Sequence, residues 1–163
     1  MAAYWLDTDV YLQAANSVLA FDLAPDFWTL LERCAEKNVI ASPKYVCMEL
    51  VDLSDRDDAI KRWADTQRNK GFLFHEPDDA VLANYTKIAD YVNGNLDQSE
   101  GDDFLDGADA WVIAHAMTGG AVAVSQEKLV GSNSKKVKVP NICEHFSVEC
   151  IKTEALLRGL RGK

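Results

Sequence analysis

The residues that interrupt a chain are scarce. Four prolines and nine glycines are spread over 163 residues, no stretch is of low complexity and no internal repeat is visible, which excludes linkers, collagen-like segments and solenoid arrays. Cysteine is sparse too: Cys34, Cys47, Cys143 and Cys150 form no C-x-x-C pair. Cys143, His145 and Cys150 match no common zinc spacing, so reduced thiols are expected. Positive charge is short, with 17 Lys and Arg against 26 Asp and Glu, for a net charge of −9. That is a poor match for a protein gripping nucleic acid through a broad basic face. Either the partner is not nucleic acid, or the acids gather where a metal cation reverses their effect. The first twelve residues carry Asp7 and Asp9 inside their apolar run and have no basic leader. Neither a signal peptide nor a membrane span is expected, and the expected location is cytoplasmic.

The length suits one domain, 1–163, and 48% hydrophobic residues suffice for a core. Residues 3–7 form a short apolar run ending on Asp7, the pattern of a buried first strand. Residues 25–37 open with Pro25 and bring Phe27, Leu30, Leu31 and Cys34 to one face, as an amphipathic helix does. Residues 39–41 read as a second strand. A helix over 44–53 should come next, capped by Ser42 with Pro43 at its first position. Charged residues 55–69 read as a solvated helix ending at Gly71, residues 72–74 as a strand, and 78–92 as a helix stopped by Asn93-Gly94. The acidic run after it is expected to be a polar loop. Residues 103–118 read as one helix ended by Gly119-Gly120. Residues 121–124 have the continuous apolar character of a central parallel strand. A basic loop over 131–138, an apolar segment at 148–151 and a helix from Thr153 close the chain. Alternating strands and helices predict an α/β fold of three layers, a mostly parallel central sheet flanked by helices. Sites in such sheets form at the carboxyl ends of the strands.

Four acids occupy positions where apolar residues are expected. Asp7 terminates an apolar strand. Glu49 interrupts Tyr45-Val46-Cys47-Met48-Glu49-Leu50-Val51. Asp109 lies in Ala108-Asp109-Ala110-Trp111-Val112-Ile113-Ala114, apolar on nearly every side, and Glu127 comes shortly after the strand ending at Val124. A buried carboxylate survives when paired or bound to a metal. Asp106, three residues before Asp109, should share its helical face. Clustered carboxylates suit Mg²⁺ or Mn²⁺, which take hard oxygen ligands and phosphate oxygens together. Such an ion polarises a phosphoryl group and acidifies an attacking water. Taken singly, Asp7 also reads as a turn or helix cap and Glu49 as a solvated helix acid.

In this order the residues resemble the PIN-domain family. Leu6-Asp7-Thr8-Asp9-Val10 matches its first strand ending in Asp followed by Thr or Ser. Glu49 matches the Glu in the helix after the second strand. Ala108-Asp109-Ala110-Trp111-Val112-Ile113-Ala114 is similar to its Ala-Asp-x-x-Ile-Ala helix, and Val124-Ser125-Gln126-Glu127 to the end of its next strand. Many PIN proteins carry Asp or Asn where this chain has Glu127. The resemblance spans essentially the whole chain and is nearest to a little-characterised prokaryotic branch.

It implies a metal-dependent endoribonuclease. Asp7, Glu49, Asp109 and Glu127 would be catalytic, and these with Asp106 would hold Mg²⁺ or Mn²⁺, supported by Thr8, Asp9 and Ser125. Many similar members are VapC-type toxins, which implies an RNA substrate, a homodimer and an antitoxin whose Arg or Lys enters among Asp7, Glu49 and Asp109. Lys128, Lys135, Lys136 and Lys138, the dense basic group, are expected to meet the RNA backbone. Two rivals stand beside this. One is a non-catalytic PIN-like module that binds RNA or protein. The other is a haloacid-dehalogenase-like phosphatase, suggested by Asp7-Thr8-Asp9 and by Gly101-Asp102-Asp103-Phe104-Leu105-Asp106. His75, His115 and His145 are expected to be structural, and Trp5, Trp28, Trp63 and Trp111 to lie in the core or at a subunit contact.

Overall fold

A computed structural model describes residues 1–55 and 57–163. Its centre is a five-stranded sheet in the order β3-β2-β1-β4-β5, formed by β1 (Tyr4–Leu6), β2 (Ile40–Pro43), β3 (Phe74–His75), β4 (Val122–Val124) and β5 (Cys150–Ile151). Every neighbouring pair is parallel. Tyr4 lies opposite Ile40 on one side and Val122 on the other, and Leu6 opposite Val124. With β1 and β4 adjacent and in register, the residues after Leu6 and those after Val124 emerge side by side. The expected three-layer α/β fold is the one found.

Helices cover the sheet because its strands are apolar on both faces: Leu6, Ile40, Ala41, Ala123 and Val124 are all fully buried. The helices are α1 (Thr8–Ala15), α2 (Pro25–Glu36), α3 (Lys44–Cys47), α4 (Ala59–Lys70), α5 (Asp79–Asn95), α6 (Gln98–Asp106), α7 (Asp109–Gly119), α8 (Val139–His145) and α9 (Thr153–Gly159); α2, α3, α7 and α8 pack directly on the strands, and α5 and α6 pack on α7. Helix α7 is buried on most sides through Ala110, Val112, Ile113, Ala114, His115 and Ala116, as an all-round apolar helix must be. Trp5, Trp28 and Trp63 are core residues. Trp28 stacks on Phe21 at 3.8 Å, and half-buried Trp111 stacks on Tyr85 at 3.9 Å and on Tyr45 at 4.5 Å. No helix among the described residues is long and apolar enough to cross a membrane.

Several elements differ from their expected form. The segment after Asp7 is helical at once, as α1. The acidic run expected to be a loop forms the start of α6, because the Asp97 side chain accepts the Glu100 N–H at 3.0 Å and caps it. The single helix expected over 103–118 is two, separated at Gly107, whose backbone is extended. Ser42 does not cap α3. It is fully buried and donates to the Leu6 carbonyl at 2.6 Å, leaving its oxygen to accept from the Tyr11 hydroxyl at 2.7 Å. Pro43 ends β2 and itself occupies the cap position. The strand expected over 72–74 is shifted to Phe74–His75. The helix expected over 55–69 is α4, begun by the cap Asp58; within its expected first turn, Arg56 lies outside the described residues. Helix α3 passes directly into a π-helical turn, Met48–Asp52, which carries Glu49. Such turns recur at functional sites.

Candidate active site

Asp7 is placed by two elements at once. Its N–H donates to the Val124 carbonyl at 2.9 Å, continuing the β1–β4 ladder, while its side chain caps α1 by accepting the Thr8 N–H at 2.7 Å. The carboxylate therefore sits at the carboxyl end of β1 and is only 3% exposed. Across from it, β4 delivers Ser125, whose hydroxyl lies 3.2 Å from Asp7 Oδ2 and 3.3 Å from Asp9 Oδ2 and donates toward both. Asp9, in the first turn of α1, accepts the Gln126 N–H at 3.1 and 3.2 Å. The loop after β4 is thereby tied to that turn.

Asp109 is the first residue of α7 and lies close enough to Asp7 for the two carboxyl groups to act on each other's charge. Burial, followed by the nearby charge of Glu127, pushes Asp109 up to about 7. Burial, then the charges of Asp109 and Asp9, hold Asp7 well above the usual carboxylate range. Burial raises Asp9 and Glu49 as well. These are the two expected results of crowding acids in an apolar setting: loss of hydration and mutual repulsion. Among the described residues no Lys or Arg forms an ion pair with Asp7, Asp9, Glu49 or Asp109.

The outer acids have backbone partners. Glu49 Oε1 accepts the Ala108 N–H at 2.8 Å, just ahead of Asp109. Glu127 Oε2 accepts the Val139 N–H at 2.7 Å, and its Oε1 lies 4.0 Å from Lys138 Nζ. The Thr8 hydroxyl lies near enough to Glu49 to favour its charged form, yet it is buried and reaches no hydrogen-bond partner. With these acids turned onto amides, no three Asp, Glu, His or Cys among the described residues converge as a ready-made cation cage. In charge and donor type the site nevertheless fits a hard dication. Every donor is oxygen, Asp7, Asp9, Glu49 and Asp109 have no Lys or Arg ion pair among the described residues, and an orphaned hydroxyl stands beside them.

Asp7, Asp109, Glu49, Glu127, Thr8, Asp9 and Ser125 thus share one region. Asp106 does not join them: it ends α6, exposed, and its charge acts on Tyr85. The helical face it was expected to share with Asp109 is broken at Gly107. The run from Gly101 to Asp106 lies inside α6 with Asp102 and Asp103 exposed, so it supplies no strand-end acid of the phosphatase kind. Of the four lysines, Lys136 pairs with Glu100 at 3.0 Å and Lys138 reaches Glu127, while Lys128 and Lys135 are exposed. Sequence reasoning missed the amide partners of Asp9, Glu49 and Glu127. It also missed α8, although Pro140 in its first turn is a start signal.

An all-parallel α/β sheet with acids gathered at the carboxyl ends of β1 and β4 defines a PIN-like fold. The structure is similar to a chain of VapBC2 from Rickettsia felis, solved bound to a DNA fragment from their promoter. The TM-score is 0.52 at 16% identity, over 91% of this chain and 97% of that one. The chain belongs to the family described as "Domain of unknown function (DUF4411)", which matches residues 4–163. No curated protein sequence matches it.

Proposed function

We propose that the chain is a metal-dependent endoribonuclease, the toxin of a toxin–antitoxin pair. The observation that carries this is the crowding of acids about Asp7, a buried carboxyl group at the end of β1 held above the usual carboxylate range by burial and by the charges of Asp109 and Asp9, with Glu49 and Glu127 nearby. A fold can keep such a group for chemistry when a dication relieves the repulsion. Asp7 and Asp109 would hold Mg²⁺ or Mn²⁺, with Glu49 and Glu127 as further oxygen donors. When bound, the ion supplies charge against a phosphodiester and lowers the pKa of an attacking water. Ser125 fixes the Asp7 carboxylate by hydrogen bonding to it. Asp9 keeps the loop after β4 in place by holding the Gln126 N–H. Lys128 and Lys135 are exposed and available to an RNA backbone.

Cleavage of RNA with added Mn²⁺ tests the reading. Asp7→Asn and Asp109→Asn should each lower the rate at least about 100-fold with the fold intact, a loss typical of removing a group that stabilises transition-state charge. Wild-type rates from both variants sink the assignment. Calorimetric titration with Mn²⁺ separates it from a non-catalytic binding module, which would take up no ion here.

The same region suits an inhibitory protein segment bearing Arg, because a guanidinium pairs bidentately with carboxylates. The VapBC2 likeness supports looking for such a partner. Its binding should weaken in high salt and in added Mn²⁺, since both compete for the same charges. A partner indifferent to Mn²⁺ and to Asp109→Asn would reduce the reading to a stand-alone nuclease.

A further inference from the structure

Between β4 and α8, residues 125–138 form neither helix nor strand, yet the segment is clasped at its base. Glu127 Oε2 accepts the Val139 N–H, the first of α8, at 2.7 Å, and Glu127 Oε1 faces Lys138 Nζ at 4.0 Å. One carboxylate thus joins the two ends of a stretch whose residues 131–136 are all exposed and which carries Lys128, Lys135, Lys136 and Lys138. A second clasp lies further along. Asn141 accepts the Val130 N–H at 3.0 Å and donates to the Val130 carbonyl at 2.8 Å.

The first clasp is made by a member of the acid cluster. The charge of Glu127 bears on Asp7, Asp9 and Asp109, while its two oxygens are turned to Val139 and Lys138. Glu49 is engaged in a similar way through the Ala108 N–H at 2.8 Å. In this arrangement no three acids among the described residues converge on one point. Mg²⁺ takes its oxygens at about 2.1 Å in a near-octahedral set. At least one outer acid must therefore turn inward to join Asp7 and Asp109 about such an ion.

Glu127 is the freer of the two. Glu49 stands on the π-helical turn with Leu50 and Val51 buried beside it, whereas Glu127 stands on irregular backbone. Its charge also weighs on Asp109 more than that of Glu49 does. Its ion pair with Lys138 is long and partly exposed on both sides, a kind that contributes little. The bond to Val139 is the stronger tie. Val139 is fully buried, so its N–H cannot reach water while the loop stays shut, and a stranded N–H is unfavourable. Withdrawal of Glu127 therefore obliges the base of the loop to open.

We propose that Glu127 is a clasp shared between the two sites: without a cation it closes the base of the 128–138 loop on Val139 and Lys138, and with Mg²⁺ or Mn²⁺ beside Asp7 and Asp109 its carboxylate turns inward and lets that base open. This rests on the metal reading above. Cation binding and the state of the lysine-bearing loop are then coupled. Such coupling is reciprocal, so a ligand that holds the loop open tightens the cation by the same factor.

The test is a Mg²⁺ titration of the full ¹⁵N-labelled chain, followed by calorimetry and amide exchange. At saturation the Val139 N–H should exchange at least about tenfold faster, as on loss of one hydrogen bond, while the Ala108 and Val130 N–H groups keep their protection. Glu127→Gln keeps an acceptor for Val139 and loses the charge. It should bind Mg²⁺ about tenfold more weakly and leave Val139 exchange insensitive to the ion. Lys138→Gln removes a competing cation and should tighten Mg²⁺ about threefold; an unchanged affinity removes Lys138 from the clasp. Mg²⁺ binding with Val139 still protected, or with protection lost at Ala108 instead, overturns the proposal and leaves the metal reading standing. So does wild-type affinity in Glu127→Gln. No Mg²⁺ binding by the wild type removes both. Should Glu127→Gln fail to fold, the wild-type exchange at Val139 decides alone.

Discussion

Asp109 begins a helix whose positive end would ordinarily favour its charge, yet its carboxyl group holds a proton up to about pH 7. Burial and the charges of Glu127, Glu49 and Asp9 outweigh the helix. Unfolded, Asp109 titrates near the ordinary Asp value of about 3.9. Between there and pH 7 the folded chain binds the extra proton, so rising pH costs stability across that window and has no further effect through this group above it. Compared with wild type, metal-free Asp109→Asn should gain stability progressively from pH 4 to pH 7. The gain should reach about 1 kcal/mol, or about 3 °C in Tm for a domain of this size, after allowing for solvent screening. Differential scanning calorimetry across that range with a chelator checks it; a pH-independent difference would show that the repulsion is absent. At this scale the sequence was informative because an acid in an apolar run has no cheap structural explanation. Asp7 and Asp109 were legible for that reason. Asp106 was misread because spacing alone cannot reveal that Gly107 breaks the helix between the two.

At the scale of elements, the split between α6 and α7 is held from a distance. Glu49, on the π-helical turn after α3, accepts the Ala108 N–H, while the Tyr85 hydroxyl donates to the Leu105 carbonyl at 3.2 Å. Both helix ends meet side chains remote in sequence, so no local cap marked the break and the apolar pattern ran through it. The capping of α6 by Asp97 was legible in principle, since Asp97-Gln98-Ser99-Glu100 carries a cap residue followed three later by Glu. The acidic composition disguised it. Glu49 therefore has a structural duty separable from any metal. Glu49→Ala strands a backbone N–H and should cost about 1–3 kcal/mol in urea unfolding. Glu49→Gln keeps an acceptor oxygen and should restore most of that, while weakening Mn²⁺ binding. Equal stability of the two variants would remove Glu49 from the support of α7.

For the whole molecule, the excess of negative charge limits how RNA could be held. Parallel strands, a buried first strand and the layered architecture were legible because apolar runs alternate with amphipathic ones, whereas the central place expected of residues 121–124 belongs to β1, with β4 beside it. The disposition of the lysines was not, since the ion pairs of Lys136 with Glu100 and Lys138 with Glu127 join residues well apart in the chain and leave no local trace. With those two engaged, Lys128 and Lys135 are expected to carry most of the backbone contact. Replacing both by Gln should flatten the dependence of log affinity on log salt by about 1–2 units of slope for single-stranded RNA. Replacing Lys136 alone should change it less. An unchanged slope in the double variant places the RNA elsewhere.

Gln126 belongs to two neighbourhoods. Its N–H is held by Asp9, and its side-chain Oε1 accepts the Thr153 N–H at 2.8 Å, at the start of α9. Helix α9 is anchored in turn by Leu156 and Leu160, both almost wholly buried. The carboxyl-terminal helix is thus mechanically geared to the acid-bearing loop, although it supplies none of the acids. Shortening the chain before Thr153 should slacken the span from Ser125 to Glu127, visible as faster amide exchange at Gln126 and Glu127.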